Sequence, residues 1–260
     1  MSENNNKMIR DSTLPDLQVE RFIDPSTGEV SVHYLWKGML LPKVTLTGKI
    51  ADTISGLTLI QKDLENAKRW VERALDLTSK EHAVIPKGVM YVHLQDRARA
   101  DEAKAFFVAG LTFYAKAFTE AAGRKVQMQR DSLALEFRDR HNYYMDFRHN
   151  FAAHSGDLKL EYATSYLLMI PQRNGTALQI ATTRLQPDAV GAETQEESFL
   201  SLIEHAISVV SDKYDKACTN LVKAAATRPE AFWRAAAQGS VPVDMDKTVS
   251  GIQKSRGKRK

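Results

Sequence analysis

Apolar residues recur along the chain with two different periods, and the change between them lays out the elements. From Leu57 to Leu77, the residues Ile60, Leu64, Ala67, Val71, Ala74 and Leu75 fall at helical spacing with Lys and Glu opposite, predicting a first helix. The preceding ADTISGLT (51–58) reads as its N-terminus, with Thr53 or Ser55 as the cap. A second, aromatic helix is predicted over about 98–121 on Phe106, Phe107, Leu111, Phe113, Tyr114, Ala117 and Phe118, with Gly123 as its C′ residue. A third is predicted over about 130–155 on Leu133, Phe137, His141, Tyr144, Phe147 or Arg148, and Phe151, stopping at Gly156. A fourth, over about 195–226, carries the stripe Phe199, Ile203, Ala206, Val210, Tyr214, Ala217 and Leu221. RPEAFWRAAAQG (228–239) predicts a short amphipathic helix, with Pro229 in the first turn.

Alternation takes over elsewhere. LQVERFID and VSVHYLW flank the turn residues PSTGE (25–29), which predicts a β-hairpin at about 17–36, and 37–49 holds a further short strand limited by Pro42. LKLEYATSYLLMI (158–170) and TALQIATTRL (176–185) read as a second hairpin around PQRNG, with Asn174-Gly175 as the turn. KEHAVIPKGVMYVHL (80–94) breaks the helical period and is a connection. The expected fold is mainly α, an antiparallel four-to-five-helix bundle with β-hairpin additions at about 17–36 and 158–186. The expected organisation is an N-terminal hairpin extension (1–50), a helical domain with an inserted hairpin (51–240) and a disordered basic tail (241–260).

Composition narrows the class. The 260 residues are 43% hydrophobic and 26% charged, as in soluble globular chains. No apolar run reaches the ~20 residues that span a bilayer, and the polar start lacks a signal-peptide core, so the expected location is cytoplasmic. One cysteine, Cys218, sits in a helical pattern as a packed thiol. Net charge is +4, but KSRGKRK (254–260) carries five positive charges, so residues 1–253 sum to about −1. Attraction of the whole body to nucleic acid therefore does not follow from charge.

The candidate chemistry lies in FRHNFAAHSGD (147–157). On a helix Asp146, Asn150 and His154 share one face, with Phe147 and Phe151 on the adjacent apolar face. His154 falls in the last predicted turn, where free carbonyls favour the imidazolium, and an imidazole poised between forms can give or take a proton. Arg148 offers a permanent charge in a planar fork suited to phosphate oxygens. The same residues also fit a structural role. Arg148 has carboxylate partners within reach in Asp146, Asp157 or a Glu of a neighbouring helix, and His154 can cap carbonyls.

This stretch resembles the Arg-x(4–6)-His signature of the HEPN superfamily, in which a polar residue, here His149, commonly follows the Arg. The likeness to abortive-infection-type members extends over about 100–226, through AFFVAGLTFYAKAFTEAAGRK (105–125) and SFLSLIEHAISVVSDKYDKA (198–217). The resemblance implies a metal-independent endoribonuclease whose protomers pair so that two motifs share a groove. It implies Arg148 and His154 as catalytic residues, with His149 and Asn150 orienting the substrate, and no cofactor. RNA, a second copy of the chain and an antitoxin or regulatory protein are the implied partners, in a phage-defence or toxin role. The rival expectation is a non-catalytic scaffold of the same fold that binds a protein or nucleic acid. The spacing of His141, His149 and His154 does not give the one-face geometry of a metal pair, so no metal is expected. Phosphate-loop, dinucleotide and serine-hydrolase motifs do not occur in the sequence.

Overall fold

The computed structural model describes residues 9–10, 16–79, 91–92, 96–121, 123–149, 162–172, 175–185, 189–190 and 198–247. The chain is mainly α, and it divides into two compact units, residues 49–221 and a second unit of 1–48 with 222–260.

In the second unit, β1 (Ile9–Arg10), β2 (Leu17–Ile23), β3 (Val30–Trp36) and β4 (Met39–Leu40) form an antiparallel sheet in chain order. The turn between β2 and β3 is built by Asp24, whose carboxylate accepts from the Ser26 and Thr27 amides at 2.7 and 3.2 Å, with Gly28 at φ +70°. Those bonds hold the Asp24 carboxyl below its usual range, the Ser26 hydroxyl contributing most. Lys37 and Gly38 both take positive φ between β3 and β4, the two-residue geometry that matches strand twist. Pro42 then separates β4 from β5 (Leu46–Thr47). The expected unstructured stretch after residue 240 needs correcting. Val243 and Asp244 form β10, parallel to Leu46 and Thr47, and Val243 and Met245 are buried. Two apolar side chains in VPVDM are enough to hold this segment once a strand edge is available to pair with. Residues 248–260, the basic end, lie outside the described residues.

The helical unit holds α1 (Lys49–Ser79), α2 (Arg97–Phe118), α3 (Leu135–Phe147) and α4 (Phe199–Ala225) as far as Leu221. It also holds the short pair β6 (Tyr91–Val92) with β9 (Ala189–Val190), and the hairpin of β7 (Tyr162–Gln172) with β8 (Gly175–Leu185). Its core takes Ile60, Leu64, Ala67 and Val71 from α1, and Phe107, Leu111 and Tyr114 from α2. Tyr144 and Phe147 come from α3, and Phe199, Leu202, Ile203 and Val210 from α4. Among the described residues the helical stripes read from the sequence thus face inward, except Leu75, which is exposed; Phe151 lies outside them. Gly110 lets α2 approach α1, since a Cβ there would stand 2.6 Å from Val71 Cγ2.

Three expected helix boundaries are displaced. α1 starts at Lys49 rather than in ADTISGLT, and the Thr53 hydroxyl donates back to the Lys49 carbonyl inside the helix instead of capping it. α2 stops at Phe118, because Thr119 turns extended and its hydroxyl bonds the Ala115 carbonyl, so Gly123 is not its C′ residue. Of the single helix expected over 130–155, the described residues 130–149 form a 3-10 turn at Arg130–Ser132, an extended Leu133–Ala134 step, and then α3, and 150–155 lie outside them. Arg138 takes the carbonyls of Asp131 and Leu133, at 2.9 and 3.1 Å, and thereby stabilises the break.

α5 (Glu230–Gln238) follows in the second unit, with Pro229 at its N-cap and the Trp233 indole N–H donating to the Ala225 carbonyl at 3.1 Å.

Candidate functional site

α3 is held in register by side chains that sequence spacing does not disclose. Its N-cap, Ala134, has no side chain able to cap, and its amide donates to Nε2 of His205 on α4 at 3.0 Å. His205 stacks on Phe137, with ring centroids 4.1 Å apart. Arg140 donates to the Ser201 hydroxyl at 2.9 Å, and Lys213 donates to that of Ser132 at 2.6 Å. One turn further along α3, Nδ1 of His141 lies 2.8 Å from the Tyr114 hydroxyl of α2, in the core. Burial, then the nearby Arg130 charge, lowers the His141 pKa to about 4. Burial likewise raises the Tyr114 hydroxyl, which stays protonated and so donates to the neutral imidazole. His205 is also lowered, mainly by desolvation against a smaller opposing effect of Glu136. Both histidines are neutral parts of the packing.

The far end of this helix carries the expected site. Phe147 is fully buried, edge-on to Phe107 at 5.9 Å. Each residue turns about 100° around the axis, so Arg148 flanks the buried stripe and His149 lies away from it. Arg148 is accordingly half-buried and His149 exposed. The Arg148 amide donates to both Tyr144 and Met145 carbonyls, and residues 148–149 continue in a wider π turn. Among the described residues Arg148 has no carboxylate partner; Asp146, which competed for it on spacing, is exposed and not bonded to it. Asn150 and His154, with Gly156 and Asp157, lie outside the described residues. The structure therefore brings Arg148 and His149 to one helix end and leaves the other two positions unplaced.

Two further polar clusters are structural. Asp63 is buried and accepts from Arg124 and Lys116 at 3.0 and 2.9 Å, while Arg124 also donates to the Lys116 carbonyl. This ties the loop after α2 to α1, where Gly56 admits Val126 and the Arg124 carbonyl. In this cluster Asp63 and Arg124 are buried while the Lys116 side chain reaches solvent, and the Tyr114–His141 pair is buried. Among the described residues no three His, Cys, Asp or Glu side chains converge as a metal site, and no helix is long and apolar enough to cross a membrane.

Comparison of the chain with protein-family models, curated proteins and solved structures finds no match.

Proposed function

We propose that the protein is a HEPN-type endoribonuclease, built on an antiparallel bundle of four to five helices with hairpin additions. The observation that carries the reading is the delivery of Arg148. A guanidinium without a carboxylate partner among the described residues stands half-buried at the end of a helix, next to the buried Phe147. Such a cation gives up no carboxylate of the described residues to meet a phosphate, and its fork can take two non-bridging oxygens.

In the proposed reaction a ribose 2′-OH loses its proton to the His154 imidazole of one protomer, and the oxygen attacks the adjacent phosphorus. The P–O5′ bond breaks, the departing oxygen takes a proton from the second protomer's copy of His154, and a 2′,3′-cyclic phosphate remains. Arg148 holds the phosphate and offsets the charge that builds on its oxygens. His149 and Asn150 orient the nucleotide. The paired protomers, an antitoxin or regulatory protein, and a cytoplasmic role in defence or toxicity belong to the same proposal. A non-catalytic scaffold of the same fold, binding a protein or nucleic acid, is the alternative that the test separates.

The test is cleavage of mixed cellular RNA in EDTA by the wild-type protein, Arg148→Ala and His154→Ala. Cleavage by the wild type to cyclic-phosphate ends, lost in both variants with their helical circular dichroism unchanged, supports the enzyme. Wild-type protein that shifts RNA or a protein partner without cutting supports the scaffold.

A further inference from the structure

The β7–β8 hairpin is eleven residues long on each strand, and its register runs unbroken from Tyr162↔Leu185 to Gln172↔Gly175. Residues directly opposite share a face. One face therefore carries Leu167 beside Ile180 and Met169 beside Leu178, flanked by Ser165–Thr182 and Pro171–Thr176. These four large apolar side chains are 57, 66, 70 and 64% exposed, in that order. Among the described residues β7 and β8 pair only with each other. A lone two-stranded ribbon is marginal in water, and this one lacks the Lys, Glu or bulges that usually protect such a strand pair.

We propose that this face is a homodimerisation surface, covered by the same face of a second copy of the chain. Area and symmetry favour that occupant. The quartet exposes on the order of 500 Å² of apolar surface, as large as the biggest patch on a typical monomer. Two copies laid face to face, with the flanking Ser, Thr and Pro, bury roughly 1,200 Å² in total, the lower bound of a specific interface. The apolar quartet carries no charge, and the one charged residue of the face, Arg184 opposite Ala163, stands at the open end of the ribbon beyond Ser165–Thr182. The two apolar pairs are alike in size, and a two-fold axis in the plane of contact lays one quartet on the other. The inference rests on the ribonuclease reading for the pairing of protomers: a dimer that survives substitution of this face overturns the face alone, and a dimer that does not cut RNA overturns the ribonuclease alone.

Sedimentation velocity of the full chain tests it, with Leu178→Glu/Ile180→Glu on this face and Gln179→Glu on the opposite face of the same strand as control. The expected result is a wild-type dimer of twice 29.2 kDa, unchanged in the control. The double Glu variant should dissociate at least about a hundredfold more readily, because two unpaired carboxylates enter the contact. Mixing it with Leu178→Lys/Ile180→Lys should restore the dimer. If the Glu variant loses its helical circular dichroism, Leu178→Ser/Ile180→Ser takes its place. A monomeric wild type overturns the proposal, including one that binds phosphatidylcholine vesicles instead, and so does a dimer that survives the substitutions on this face.

Discussion

Acidification should loosen α3 from its neighbours before it disturbs the rest of the helical unit. His141 is 6% exposed, bonded to Tyr114 and flanked by Phe118 with centroids 4.3 Å apart. Its pKa falls from 6.5 to about 4. The unfolded chain therefore binds this proton first as pH drops, and stability is lost from about pH 6.5 down to about pH 4, with no further loss below. At 1.36 kcal/mol per unit, the full passage costs about 3 kcal/mol. His205 acts in the same direction: its Nε2 accepts the Ala134 amide, and protonation removes that acceptor. The assay is urea unfolding followed by circular dichroism, at half-unit steps from pH 7.5 to 4, for the wild type and His141→Gln. Carboxylates common to both cancel in the difference. The wild type's advantage over His141→Gln should shrink by about 2–3 kcal/mol across that range. A difference that stays constant with pH would refute the burial of a neutral His141.

Two other substitutions probe the loop after α2. Asp63→Asn leaves the Arg124 charge buried without its anion and should cost about 3–5 kcal/mol in thermal or urea unfolding. Replacing the pair together, as Asp63→Leu with Arg124→Met, should recover most of that loss if the anchor is packing and charge in one place. Gly56→Ala gains helix propensity, but its Cβ would stand 2.2 Å from Val126 Cγ2 and 2.6 Å from the Arg124 carbonyl. It should lower stability by about 1–3 kcal/mol, and a higher urea midpoint would show that the loop does not pack there.

What the sequence discloses depends on how far away each element's partners lie. α1, α2 and α4 are legible because their own stripes (Ile60 to Ala74, Phe107 to Ala117, Phe199 to Val210) decide which side is buried. The Asp24 turn is legible because all its bonds fall within five residues. α3 is not, since its start depends on His205, 71 residues away, and its break on Arg138 reaching back to two carbonyls. β10 escaped for the same reason, its partner β5 being at the other end of the chain. The small residues of ADTISGLT looked like a cap, yet Gly56 is there for the loop that crosses it and Thr53 bonds within its own helix.

The candidate site divides along the same line. Periodicity leaves Phe147 or Arg148 for the inward position, and the structure buries Phe147 with Arg148 half-buried beside it. Periodicity also could not decide between a phosphate fork and an ion pair, because that turns on which carboxylates the tertiary structure brings close, and Asp146 is not one of them. Nor could it show that two of the chain's histidines, His141 and His205, are held neutral by burial to position the helix that carries Arg148. Those two are structural because each ring nitrogen that bonds does so to a buried or backbone partner. That leaves proton transfer, in the proposed reaction, to a histidine other than these two, His154 in the proposal.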